Sequence, residues 1–181
     1  MIFTQDWFTP TIARLEPVVP AFAQRVLEIG CFEGRSTIWF LDRWPDAQVT
    51  TIDSFHGGGD IGLEVMLGVR ERFLSNTVKY GKRLTLLEGR SHTMLAKLQH
   101  DYFDFIYVDG SHTADGVYID GMLAFPLLTD DGVMVFDDYG WGNEQKTVAA
   151  GVCKFRDAWR HQVVWLPSDS YIAVFRRRRL A

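Results

Sequence analysis

Short apolar runs alternate with stretches of helical periodicity along nearly the whole chain. Five runs read as strands of a mostly parallel sheet: residues 25–30, 48–53, 84–88, 103–109 and 133–137. Residues 103–109 are almost continuously apolar, as a central strand covered on both faces must be. Between these runs the spacing predicts helices over 35–43, 61–79, 114–127 and 147–160, with Ser91 a candidate cap for a further one. Pro45 marks the exit of the first of them, and Asp130-Asp131-Gly132 reads as a turn into the fifth strand. Residues 6–24 form a proline-broken, helical lead-in. At the other end, 162–166 and 171–176 flank Pro167-Ser168-Asp169 too closely for a crossover, which predicts an antiparallel hairpin. Strands alternating with helices predict an α/β sheet covered on both sides, and 181 residues suit a single domain, 1–181.

Composition narrows the partners. With 19 basic and 23 acidic residues the net charge is −4, which disfavours a nucleic-acid groove. The basic run Arg176-Arg177-Arg178-Arg179 follows an apolar strand and reads as a solvated strand end. No apolar stretch is long enough to span a membrane, so no membrane contact is expected. The two cysteines, Cys31 and Cys153, lack metal-ligand spacing and suit a reduced, cytoplasmic protein.

The chemistry gathers at the first strand end. Glu28-Ile29-Gly30-Cys31-Phe32-Glu33-Gly34 runs from strand to helix start, and Asp53 ends the next strand. That is the layout of a nucleoside-binding half-domain. A dinucleotide site needs a second glycine where Phe32 stands, so that backbone can approach a pyrophosphate; a carboxylate at Glu28 would repel that group. A nucleoside carrying an amino-acid head fits better, because its ammonium can pair with a carboxylate. S-adenosylmethionine meets both requirements and NAD does not. Taken singly, Gly30 and Gly34 are also ordinary turn residues and Asp53 an ordinary loop acid.

Three segments carry a resemblance: 27–37 around the glycine turn, Ile106-Tyr107-Val108-Asp109-Gly110-Ser111-His112, and Val135-Phe136-Asp137-Asp138-Tyr139. Together they resemble class I S-adenosylmethionine-dependent methyltransferases. More narrowly, they are similar to the compact enzymes related to metal-dependent sugar O-methyltransferases of antibiotic pathways. The resemblance implies a three-layer Rossmann-like methyltransferase fold with seven strands in the order 3-2-1-4-5-7-6, strand seven antiparallel. It places Glu28 and Gly30 under the methionine end of the cofactor, with Gly34 allowing close helix approach and Ser36 capping the helix or binding the carboxylate end. It assigns Asp53 to the ribose hydroxyls, each such bond contributing roughly 1.5–3 kcal/mol, and Ser91 to adenine, with Asp109 also at the cofactor.

Asp109, Asp137 and Asp138 end adjacent strands in this fold, so they are expected to converge on a divalent cation, Mg²⁺ first. Successive strand residues face opposite ways, so Asp137 and Asp138 can share an ion only if the strand unwinds there. His112 is the expected catalytic base beside Asp109, taking a proton from a hydroxylated small-molecule acceptor. The carboxylates equally suit hydrogen bonds to loop amides, and Ser111 a plain helix cap. Trp7, Phe8, Phe55, Tyr139 and Trp141 are candidates to stack on the acceptor or to form a homodimer contact. The loop 57–59 is a candidate lid hinge. A metal-independent N- or C-methyltransferase and a non-catalytic cofactor-binding module remain the alternatives.

Overall fold

The computed structural model describes residues 1–57, 61–141 and 147–179; Gly58 and Gly59 of the expected hinge lie outside them. One sheet holds β1 (Arg25–Ile29), β2 (Gln48–Asp53), β3 (Leu84–Glu88), β4 (Phe103–Val108), β5 (Leu128–Phe136), β6 (Val163–Leu166) and β7 (Ala173–Arg177). Its order is β3-β2-β1-β4-β5-β7-β6. The first five strands pair in parallel, while β7 runs antiparallel between β5 and β6. This is the expected Rossmann-like methyltransferase order.

Period-two alternation splits the core into two layers. On one face Leu27, Ile29, Ile106, Val108 and Phe136 pack under α5 (Ser91–Leu95), α6 (Ala114–Ala124) and α7 (Thr147–Ala158). On the other, Val26, Phe105, Tyr107, Val135 and Val174 meet α1 (Thr9–Leu15) and α2 (Arg35–Arg43). Strands β1 and β4 are thus buried on both sides, which explains their largely apolar sequence.

Local departures from the expected elements follow backbone chemistry. The lead-in is helical only over α1, with Pro10 in its first turn, where its missing N–H is harmless. Pro17, just beyond, has no N–H with which to extend it. The helix expected at 61–79 is broken into α3 (Leu63–Met66), α4 (Val69–Thr77) and a following 3₁₀ segment. The break is at Gly68, whose φ of 70° is left-handed. Asp130-Asp131-Gly132 does not precede β5 but lies within it, as an irregularity in the pairing with β4. In the basic run, Arg177 is not solvated: it bonds Asp101 at 2.5 Å and the Leu128 carbonyl.

Residues 1–8 lie across the loop that follows β1. Asn76 bonds both the N–H and the C=O of Ile2, at 2.7 and 2.8 Å. The buried Glu33 carboxylate accepts from the Thr4 amide and hydroxyl at 2.6 Å each, and from Arg72.

Gly30 fixes how closely the two central strand ends approach. Its φ is 86°, and a Cβ there would stand 2.1 Å from the carbonyl oxygen of Asp109. The Gly30→Ala variant is therefore expected to lose about 3 kcal/mol of stability in urea denaturation; a loss within 0.5 kcal/mol, about the spread of ordinary surface changes, would show that the strand ends can part freely.

Candidate active site

The carboxyl ends of β1, β2, β3, β4 and β5 open into a cavity of about 1110 Å³, where open α/β sheets place their ligands. Its walls come from the glycine turn, Asp53, the segment Gly89-Arg90-Ser91-His92, residues 109–112, Asp138, Trp141 and Tyr171, with Phe3 to Arg14 closing one side. Nearly all residues singled out in the sequence are here, though several do different work from that expected.

Glu28 is the largest departure. It is fully buried and is not part of the cavity wall. Alternation turns it toward α2, where its two oxygens accept from the Ser36 and Thr37 hydroxyls at 2.5 Å each. The pair locks the first turn of α2 to the end of β1. Ser36 accordingly does not cap its helix; that position is held by Gly34, at φ 86°. Burial outweighs the hydroxyl donors and pushes the Glu28 carboxyl up to about 7.

Asp53 does line the cavity, but it also organises the loop around itself. One oxygen accepts from the Cys31 and Phe32 amides at 2.9 Å each, and the other from the Phe55 amide at 2.7 Å. These bonds hold Phe32 and Phe55 in left-handed conformations, φ 49° and 55°. A carboxylate has about four acceptor positions, so one remains for a ligand.

At the ends of β4 and β5 the acids separate as strand alternation requires. Asp137 turns inward: it is 7% exposed, accepts from the Tyr107 hydroxyl, and takes the Asp138 amide at 2.8 Å. Asp138 leaves the strand at φ 55° and faces the other way, its carboxylate 3.1 Å from His112 Nε2. The Tyr171 hydroxyl also donates toward Asp138. Asp109, His112 and Asp138 thus bring ligand atoms within 4.8 Å of one another. Of the expected trio, Asp109 and Asp138 gather with His112, and Asp137 borders the same cavity outside this group. Burial, with Asp137 and Asp138 close by, pushes the Asp109 carboxyl well above the usual carboxylate range. The same causes lift Asp137 to about 6, burial outweighing its hydroxyl donor from Tyr107.

Aromatic rings rim this end. Trp141 lies against the His112 ring, centroids 5.0 Å apart, and Trp7 against Phe32 at 4.8 Å. Phe8 is instead core, packed on Phe40 and Tyr107, and Tyr139 packs on Trp165. Ser91 opens α5 and lines the cavity beside Asp120 of α6, a wall residue that the sequence reading missed. Its signal was present: Asp120 is the one acid among the buried positions Val117, Gly121 and Ala124 of an otherwise apolar stripe.

A family model described as a methyltransferase domain matches residues 27–139, from the end of β1 through the acidic cluster. The chain belongs to this methyltransferase domain family. Solved structures with the same fold include the O-methyltransferase NovP, 18% identical, with TM-score 0.67 over 89% of this chain and 73% of that one. The S-adenosylhomocysteine-bound methyltransferase PaMTH1 of Podospora anserina is 23% identical, with TM-score 0.61 over 87% and 73% of the two chains. The O-methyltransferase TomG of Streptomyces achromogenes, in complex with S-adenosylmethionine, is 21% identical, with TM-score 0.62 over 87% and 74%. A trans-aconitate 2-methyltransferase of Streptomyces coelicolor is 40% identical over 47 residues, 26% of this chain. That match spans about 15% of the length of the curated relative.

Glu28 gives this domain a measurable pH signature. Its folded pKa of about 7 lies above the ordinary 4.5, so between these values the folded state holds a proton that the unfolded chain has released. Stability is full below pH 4.5 and falls by on the order of 3 kcal/mol as pH rises through 7. Glu28→Gln removes this titration while its neighbouring hydroxyls turn to suit the amide. The variant is expected to gain on the wild type progressively from pH 5 to pH 8 in denaturant titrations. A constant difference across that range would show that Glu28 is ionised throughout.

Proposed function

We propose that this protein transfers the methyl group of S-adenosylmethionine to a hydroxyl oxygen of a small molecule. The observation that carries the reading is the meeting of Asp109, His112 and Asp138 on one wall of a cavity whose other wall is the glycine turn. Family membership and the O-methyltransferases among its structural relatives support it. The bound cofactor supplies an electrophilic methyl group on a positively charged sulfur. The free acceptor position on Asp53 serves the ribose hydroxyls, and Gly30 and Gly34 shape the turn beneath the ligand, the first packed on the Asp109 carbonyl and the second on Phe73 and Thr77. With Glu28 turned into the core, Asp109 is the carboxylate left to meet the ammonium group.

His112 takes the proton of the acceptor hydroxyl as its oxygen bonds to the methyl carbon and the carbon–sulfur bond breaks. Asp138, 3.1 Å from Nε2, stabilises the imidazolium that forms. Trp141 and Trp7 cover this end against water and offer flat apolar faces to the acceptor's body. The cavity also exceeds the usual upper range of about 1,000 Å³ for a single small-ligand pocket, which leaves room for cofactor and acceptor together.

A divalent cation fits the same cluster. The two carboxylates suit Mg²⁺ or Mn²⁺, with the imidazole as a third ligand, and burial beside Asp137 and Asp138 raises the Asp109 carboxyl, a concentration of negative charge that a cation would relieve. Asp109, Asp138 and His112 would hold it, and it would act as a Lewis acid on the acceptor hydroxyl. One nitrogen of His112 cannot serve a cation and take a proton at once, and chelation separates the two.

Calorimetry with S-adenosylhomocysteine, followed by turnover on a panel of hydroxylated acceptors, tests the proposal. His112→Ala is expected to bind S-adenosylhomocysteine within about threefold of wild type while turnover falls about 10²-fold or more. Turnover that survives a chelator assigns His112 to the proton, and turnover lost to a chelator and restored by Mg²⁺ assigns it to the cation. Wild type that fails to bind S-adenosylhomocysteine would sink the cofactor reading altogether.

A further inference from the structure

Arg14 brings a cation to the acceptor end of the cavity while its counter-ion stands outside the wall. Thr11 and Arg14 are one helical turn apart on α1 and so share a face. The Thr11 hydroxyl donates toward Asp137 at the end of β5, which turns that face to the acidic cluster, and both Thr11 and Arg14 line the cavity. The Arg14 guanidinium lies 4.5 Å from the centre of the Tyr171 ring, whose hydroxyl donates toward Asp138. Its Nε meets an Asp169 oxygen at 2.8 Å, and one terminal nitrogen donates to the Pro10 carbonyl at 2.9 Å. Asp169 is itself held by the Tyr171 amide at 2.8 Å and the Ile172 amide at 3.2 Å, and it is not part of the cavity wall. The other terminal nitrogen, Nη2, takes no partner among the described residues. Arg35 differs, because its partner Asp6, at 3.3 Å, lines the cavity with it.

We propose that Arg14 binds a carboxylate on the methyl acceptor, so that the substrates are hydroxylated aromatic acids. The inference rests on the reading that the acceptor hydroxyl meets His112. A guanidinium presents paired N–H groups in the planar geometry that a carboxylate accepts. Asp169, from outside the wall, sets its position before any acceptor arrives. A single cation matches the one charge of a carboxylate better than the nearly double charge of a phosphate. Asp109 and Asp138 repel an anion, which directs the carboxylate away from His112 and toward Arg14. The Tyr171 ring bridges Arg14 and the pair formed by His112 and Asp138. A hydroxyl and a carboxylate at opposite ends of a body the length of an aromatic ring therefore reach both. Trp7 and Trp141, also on the wall, offer flat faces to such a ring.

The test is calorimetry on protein saturated with S-adenosylhomocysteine, using 4-hydroxybenzoate, 4-hydroxyphenylacetate and 4-hydroxycinnamate, each against its neutral primary amide. Wild type is expected to bind at least one acid about tenfold or more tighter than its amide, as a charge-assisted hydrogen bond provides. In Arg14→Gln that preference should fall to within about twofold. A merely structural role for Arg14 would weaken acid and amide alike and keep the ratio, which would overturn the proposal. Wild type that binds acids and amides equally, or that binds none of these compounds while it binds S-adenosylhomocysteine, overturns it without any variant. If Arg14→Gln does not fold, Arg14→Met, which keeps the stem against Tyr171, is read by the same ratio. Wild type that fails to bind S-adenosylhomocysteine fails at the cofactor reading itself, a result distinct from the others.

Discussion

The ends of β1 and β4 pass so close that no side chain fits between them. Gly30, with its left-handed backbone, lies against the Asp109 carbonyl, and the Asp109 amide bonds back to Ile29 at 2.8 Å. This contact places the glycine turn and the acidic cluster at one cavity. Were the strands farther apart, the glycine turn and the acidic cluster would belong to separate clefts. Asp53 completes the arrangement from the neighbouring strand, gathering three loop amides onto one carboxylate. The loop's shape is thus set before any ligand arrives, as preorganised sites require.

At the cavity floor runs a second, largely buried set of polar groups. Glu28 and Tyr107 are register partners on β1 and β4, and Tyr107 reaches Asp137 at the end of β5. The residues look like site components in the sequence, but their side chains fasten strand ends to α2 and to each other. Acids that are buried to hold a scaffold and acids that face a ligand therefore stand one residue apart, as Asp137 and Asp138 do. Strand alternation sorts them.

The alternation of apolar runs with helical spacing was enough to read the parallel α/β sheet, and the resemblance supplied its order. The hairpin of β6 and β7 was legible because the link between them is too short for a crossover. The site was legible as a set of positions and less so as a set of contacts. Glu28 meets hydroxyls eight and nine residues on, across a strand-to-helix turn, and no spacing rule announces that pairing. Which of Asp137 and Asp138 meets Tyr107 and which meets His112 depends on where β5 stops, and strand ends are where sequence patterns are weakest. Asp120 hid inside an apolar helix. The break between α3 and α4 was missed because the flanking residues keep a helical rhythm that extended Leu67 and left-handed Gly68 interrupt.

Of the six tryptophans in the chain, only Trp7 and Trp141 border the cavity. Trp39 and Trp44 sit with the aromatic layer under α2, Trp159 packs against Phe125, and Trp165 lies at the sheet edge. An imidazolium ring quenches indole emission far more than a neutral one does. Trp141, tilted against the His112 ring, therefore works as a fluorophore whose brightness follows the charge of that histidine. The protein carries an optical reporter of that side chain's charge, with no label attached.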